Sequence, residues 1–552
     1  MKHDHDAVVT FEGNAFVITA SLSGNRVVEA WSTGRMVHDM NSLLGAVADG
    51  SGPRFTTRAA CLCNAGHALA ATRAVEDLLG AHVPPAARLV RDLAQALGWI
   101  SEHLGHFYLF HLTDWTNPGR ALRADPAMTA RLAARDRPCP DAGGRAFYAE
   151  AAARLSALTA GEAGEIFGIA DWDHPAHTAS PEHHLLLASH VPGAMETRAR
   201  LAEALAALRC TGPDHPAFQI GGLAESAGTA PGASPDLSGP ARTVCAALLA
   251  ACRDFILDTF LPDALCAAAA SRDWADIGKT GTYLAWGDLP GKDGDPPFFP
   301  GGVFTLGGGI RTNLVSPDLV FEDNAPAWTA TDADRYRLRL GPGQPRYQWK
   351  NDDFTWFGVP RHAGLACEVG PLARVLGACA TGNDAVKGLV DSALHRLNLP
   401  LAALDSTLGR MLARAIEAAA LIQAALSWLD SLDVLLAEGP VPLRADIRNL
   451  PASGEGVGLA EIARGALVHR IRMEKRRIIR HDSLVPSLWN FSPRGADGVR
   501  GPLEQALLGT PVADPGRPLE ILRTVHAFDP CNACLLRVED GDASRVVAVA
   551  AK

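Results

Sequence analysis

Four of the 11 cysteines stand in two close pairs near opposite ends of the chain, Cys61 with Cys63 and Cys531 with Cys534. Cys531-Asn532-Ala533-Cys534 is a Cys-x-x-Cys, a spacing that lets two thiolates converge on one soft metal, and thiolates suit nickel, iron and zinc. A structural zinc site would want two intact pairs of Cys or His. A thioredoxin-like redox pair would want a βαβ setting, which the flanking residues do not supply. These residues therefore predict a buried metal site built from cysteines that meet from the two ends. The other cysteines read differently. Cys210, Cys245, Cys252, Cys266, Cys367 and Cys379 lie in apolar, largely helical context as core thiols, and Cys139 sits between two prolines as a loop thiol. An odd number spread over 552 residues is not a disulfide framework.

The elements that must position these cysteines follow from periodicity. Residues 7–22 and 26–31 are rich in Val, Phe, Ile and Thr around the turn Ser23-Gly24-Asn25, which predicts a hairpin. Pro84-Pro85 opens a helix with Leu89, Leu93, Leu97, Ile100, Leu104, Phe107 and Phe110 on one face, reaching to about Trp115. Further helical patterns cover about 143–158, 182–208, 240–261, 371–397 and 404–436. Two stretches, 211–239 and 285–362, are rich in Gly and Pro and read as long loops. After Pro440 the pattern turns to short strands, 465–473, 477–485 and about 519–528. The fold class is α+β. A large central helix bundle (67–436) is flanked by small β-rich segments near both termini (1–60 and 440–552), with the metal site buried between them in one domain of residues 1–552.

Composition narrows the function classes. Hydrophobic residues are 47% and charged residues 20%, enough for a sizeable core. A net charge of −10 with interspersed charges argues against a nucleic-acid partner. Residues 416–436 form the most apolar long stretch, but Glu417, Gln423, Asp430 and Asp433 interrupt it, so no direct membrane span of about 20 residues is expected. No signal peptide is expected at Met1-Lys2-His3-Asp4-His5-Asp6 either.

Taken together, the two cysteine runs resemble the large subunit of nickel–iron hydrogenases. Arg58-Ala59-Ala60-Cys61-Leu62-Cys63 with His67 is similar to that family's Arg-x-Cys-Gly-x-Cys-x-x-x-His. Asp529-Pro530-Cys531-Asn532-Ala533-Cys534 is similar to its Asp-Pro-Cys-x-x-Cys. Ordered matches extend along nearly the whole chain: Phe11-Glu12-Gly13, Thr113-Asp114-Trp115, Glu368-Val369-Gly370-Pro371, Ser406-Thr407-Leu408-Gly409-Arg410, Arg464-Gly465-Ala466-Leu467 and Trp489-Asn490. The membrane-bound uptake type is the nearest in character.

The resemblance implies a centre of nickel and iron, the iron carrying cyanide and carbon monoxide. It makes Cys63 and Cys534 the bridging ligands and Cys531 one terminal nickel ligand. The other terminal position falls on Ala60, which cannot bind; either Cys61, one residue on, serves instead, or nickel has three thiolates or a water. Around the metals the resemblance implies Arg464 over the open coordination site with Asp114 and Asp529 as its carboxylates. It also implies Ser487 as a donor to a cyanide, His67 beside the bridging sulfur, and Glu12 as the proton relay. A magnesium site of the family maps onto Asn41 and Arg537, where a lost anion and a gained cation make magnesium unlikely.

The resemblance further implies an iron–sulfur small subunit as electron partner, maturation factors, and a C-terminal endopeptidase that removes residues 538–552. By itself that tail reads as a strand over 546–550. The expected function is heterolytic hydrogen oxidation, membrane-associated through partner subunits and possibly exported with the small subunit, with a cytoplasmic location as the alternative. The alternative function is a non-catalytic homologue: a scaffold for the iron unit, or a sensor or inactive paralogue.

Overall fold

The computed structural model describes residues 15–35, 64–136, 144–159, 174–211, 216–224, 235–291, 297–307, 309–323, 329–330, 335–337, 346–347, 358–447, 451–495, 497–531, 533–541 and 543–549. The two ends of the chain meet in one four-stranded sheet. Strands β1 (Ala15–Ser23) and β2 (Arg26–Arg35) form the hairpin the sequence predicts, turning through Gly24 and Asn25. Alternation makes this sheet: Phe16, Ile18, Ala20 and Leu22 point into a core, while the residues between them are half-buried.

The middle of the chain is helical, as expected. Helix α1 (Asn64–Leu79) is followed by α2 (Pro85–Gly105), whose Leu93, Leu97, Ile100 and Leu104 are fully buried. A π-helical turn over His106–His111 follows, and the extra residue per turn rotates the face before Leu112–Trp115 resumes α-helix. Helices α3 (Val191–Ala207) and α4 (Gly239–Phe255) pack on each other and on the bundle. The stretch 285–362 is not one long loop. Within and beside it lie β3 (Thr282–Ala285), β4 (Gly302–Leu306) and β5 (Ile310–Asn313) in a sheet with Glu368–Val369, and Val320–Asp323 pairs with Val359–His362.

Helix α5 (Pro371–Thr381) leads to the 31-residue α6 (Thr407–Ala437), packed against α2, α4 and α5. By length and composition alone α6 could cross a membrane. In this fold its first two turns and beyond are core, and it carries Arg410, Arg414 and Glu417 buried. Strands β6 (Ser453–Ile462), β7 (Gly465–Glu474) and β8 (Arg477–Leu484) form an antiparallel sheet covered by α1. The approach is close enough that a Cβ on Gly458 would lie 1.9 Å from the Ala70 carbonyl oxygen. Glycine at that position is what lets the helix that follows the first cysteine pair lie directly on the sheet.

Towards the C-terminus lie α7 (Pro486–Asn490), α8 (Leu519–Ala527), and the strands β9 (Ala533–Asp540) and β10 (Ala543–Val549). Residues 519–528, expected as strand, are therefore helix α8. Leu519, Ile521 and Val525 are buried and all fall at odd positions, which over nine residues resembles a strand's alternation. Strand β9 runs parallel to β1, with Cys534 opposite Phe16, and β10 takes the edge beyond it. The tail read as a strand is thus the outer strand of the sheet that joins the two termini.

Candidate metal centre

Cys531 and Cys534 lie at the entry to β9, immediately after α8 has ended at Phe528. Asp529 turns the chain there with a φ of 54°, a left-handed conformation that Asp tolerates better than most side chains. The Cys531 backbone N–H donates to Ser487 Oγ at 3.2 Å, so the serine expected near the metals does hold this turn. Cys534 is buried, and burial together with the neighbouring Cys531 raises its thiol well above the usual range. A protonated thiol is the stable form there without metal. A soft cation would displace that proton and relieve the burial penalty, so the donor chemistry fits a thiolate-bound metal. Cys61, Cys63, Ala60, Glu12 and Asn41 lie outside the described residues. Among those described, no cluster of three or more Cys, His, Asp or Glu converges on one point.

Arg464 occupies the turn between β6 and β7 and is buried. Its Nη1 donates to Glu102 Oε2 at 2.6 Å, and its Nε is 3.4 Å from Asp529 Oδ2. Asp529 is thus one of its carboxylates, as expected. The second is Glu102 on α2, a residue that the sequence did not single out. Asp114 is placed with another partner: its Oδ2 accepts from His526 Nδ1 at 2.7 Å, and its carbonyl accepts from Arg523 Nε. The structure thus pairs Arg464 with Asp529 and Glu102, and Asp114 with His526.

The backbone beneath Arg464 is fixed from below. Arg374, fully buried on α5, donates to the carbonyls of Ile462 and Ala463 while pairing with Glu417 and Glu461. Gly465, at φ 127°, lies against Gly370, where a Cβ would sit 2.5 Å from the Gly370 nitrogen. Asn490 on α7 closes the other side through two bonds to the Val369 backbone, and Arg410 pairs with Glu368. A small cavity lined by Glu368, Arg410, Arg414, Arg464, Asn490 and Phe528 remains behind the guanidinium. Arg414 is pushed down to about 9 by burial and by Arg464, since two guanidinium charges face each other there.

His67, on the first turn of α1, is buried. Its Nδ1 lies 2.9 Å from His469 Nε2 on β7, and His469 Nδ1 lies 2.6 Å from His481 Nε2 on β8. Burial holds His67 at about 4, so it is neutral near pH 7. His469, His481, Glu102 and His526 escaped the sequence reading. His469 sits two residues after the quoted Arg464-Gly465-Ala466-Leu467 run, and that proximity is the one signal that could have drawn attention to it.

Comparison with known proteins identifies the family. A family model for nickel-dependent hydrogenases matches residues 49–536. The uptake hydrogenase large subunit of Rhodobacter capsulatus is 30% identical, covering 99% of this chain and 96% of its own. The hydrogenase-1 large chain of Escherichia coli K12 is 31% identical over the same shares. Among solved structures, the Ni-Fe-Se hydrogenase of Desulfovibrio vulgaris Hildenborough superposes with a TM-score of 0.71 at 22% identity, covering 94% of this chain and 98% of that one. The α+β fold is thus shared with that solved structure. The chain belongs to the nickel-dependent hydrogenase family, as a hydrogenase large subunit.

Proposed function

We propose that the chain oxidises hydrogen heterolytically at a nickel–iron centre, H2 giving two protons and two electrons. The supporting observation is the Cys531–Cys534 turn bonded to Ser487 next to Asp529, whose carboxylate reaches the buried Arg464 guanidinium. Cys531 would be a terminal nickel ligand, and Cys534 with Cys63 would bridge to an iron carrying cyanide and carbon monoxide. Cys61 is the candidate for the position that Ala60 leaves. When bound, the metal pair supplies the electron-accepting centre. Arg464, always charged and held as a fork by Glu102 and Asp529, polarises the substrate. A cysteine thiolate takes the first proton, and Glu12 passes it outward. His67 and Ser487 orient the sulfur and cyanide ligands. Arg537 stands where a magnesium site would need an acceptor, so magnesium has no role here.

Electrons must leave to another chain. The remaining described cysteines are dispersed, most of them buried core thiols, and offer no iron–sulfur ligand set. The partner is an iron–sulfur small subunit, as the large-subunit relatives suggest, and it carries the association with the membrane and any export. Maturation factors would load the metals, and an endopeptidase would then cut after Arg537, removing β10 and the end of β9.

The test is Arg464→Lys, which keeps the charge and loses the fork. Hydrogen–deuterium exchange should fall by about 100-fold with metal content unchanged. Exchange at the wild-type rate would overturn the role of the guanidinium.

A further inference from the structure

Three buried imidazoles run in line from the first turn of α1 into the β6–β8 sheet. His67 Nδ1 faces His469 Nε2 at 2.9 Å, and His469 Nδ1 faces His481 Nε2 at 2.6 Å. The strand register explains the line. His469 is opposite Ser483 and His481 opposite Ile471, so the two histidines are diagonal neighbours on one face, and α1 lies on that sheet. All three are buried, at 6%, 0% and 1% exposure. The chain ends at His481 Nδ1, which is enclosed and has no partner among the described residues.

Each N···N contact needs one hydrogen, and each neutral imidazole brings one. Three neutral imidazoles therefore share three hydrogens along the line. Two arrangements satisfy both contacts. In the first, the hydrogens point towards His481, leaving its Nδ1–H as a buried donor without an acceptor and His67 Nε2 as a bare lone pair. In the second, His481 Nε2–H donates to His469, His469 Nε2–H donates to His67 Nδ1, and His67 keeps its hydrogen on Nε2. The second leaves an orphan acceptor rather than an orphan N–H, the rarer kind of buried defect. It also turns a donor, not a lone pair, towards the anionic thiolate that the proposed function places beside His67.

We propose that His469 and His481 are positioning residues that lock His67 in the tautomer carrying its hydrogen on Nε2, so that it donates towards the bridging sulfur of the metal centre. The donor steadies negative charge on that sulfur, and the lock prevents the ring from flipping to present a lone pair.

The first test needs no metal. In the full chain labelled with ¹⁵N-histidine and prepared metal-free, long-range ¹H–¹⁵N spectra should show the Nε2–H pattern for His67, His469 and His481. An Nδ1–H pattern at His469 or His481 would overturn the proposal. The second test uses the loaded protein and rests on the proposed function. His469→Phe removes the donor to His67 and should shift the infrared bands of the iron's carbon monoxide and cyanide at unchanged metal content. His469→Gln keeps an N–H in reach and should restore the wild-type bands. Unmoved bands in His469→Phe, or equal shifts in both variants, would overturn it. Absence of these bands from the wild type would instead count against the proposed function, while the tautomer result would stand.

Discussion

Arg374→Met should be among the most destabilising single changes in the bundle. Arg374 is fully buried and makes five bonds: two to Glu417, one to Glu461, and one each to the carbonyls of Ile462 and Ala463. Its guanidinium also lies 4.3 Å over the Trp99 ring. Removing one member of a buried ion group leaves its partners uncompensated, which costs about 3–5 kcal/mol. The acid side points the same way. Burial by itself would raise Glu417, but Arg374 and His103 outweigh it and hold the carboxyl at about 2 instead of 4.5. That displacement corresponds to on the order of 3 kcal/mol at neutral pH. Glu461 lies near 7, because burial outweighs its bond to Arg374, so Glu417 dominates. The sign follows from a depressed folded-state pKa. The contribution is present above about 4.5 and fades as pH falls towards about 2. In Arg374→Met, Glu417 becomes a buried carboxyl with a raised pKa, so the variant should regain stability as pH drops from 7 to 5. Urea midpoints of wild type and variant at both pH values measure this. A loss below about 1 kcal/mol at pH 7, or a loss equal at both pH values, would refute the reasoning.

Other expectations follow from single contacts. Gly458→Ala drives a Cβ into the Ala70 carbonyl and should cost about 3 kcal/mol or more in urea unfolding. Gly388→Ala, in the helix Asp384–Leu397 with open space around it, should stabilise by about 0.5–1 kcal/mol. Ser487→Ala removes the acceptor for the Cys531 N–H, at a cost of about 1 kcal/mol, and should speed alkylation of Cys531 in the metal-free chain. Glu504 accepts from the Ser32 N–H in a buried site that raises its carboxyl to about 7. A raised acid binds its proton more tightly in the folded state, so stability declines as pH rises from about 4.5 through about 7. Glu504→Gln should flatten that stretch of the stability–pH curve, and an unchanged slope would contradict it.

How much of this was legible in the sequence depended on whether the signal was local. The α2 face and the β1–β2 hairpin are written in residues three, four or two apart, and both appear where periodicity puts them. Helix α8 was misread because it is short and its buried Leu519, Ile521 and Val525 all fall at odd positions, which over nine residues resembles a strand's alternation. Cys531, Cys534 and Ser487 were reached through motif resemblance, and the structure brings Cys531 to Ser487. The partner of Arg464 was harder. Glu102 lies 362 positions away on a helix that carries several other polar residues, so nothing in its neighbourhood marks it. Asp114 finds His526 across 412 positions for the same reason. The three-histidine line depends on a diagonal across a hairpin and on a helix laid over it, a relation that no linear spacing encodes.

The central claim is a nickel–iron centre at the meeting of the chain's two ends. Metal analysis of the chain purified with its iron–sulfur partner, together with hydrogen uptake by the same sample, tests it most directly. Nickel and iron in equal, stoichiometric amounts and hydrogen-dependent reduction of an electron acceptor are expected. Iron without nickel, and no turnover, would contradict it.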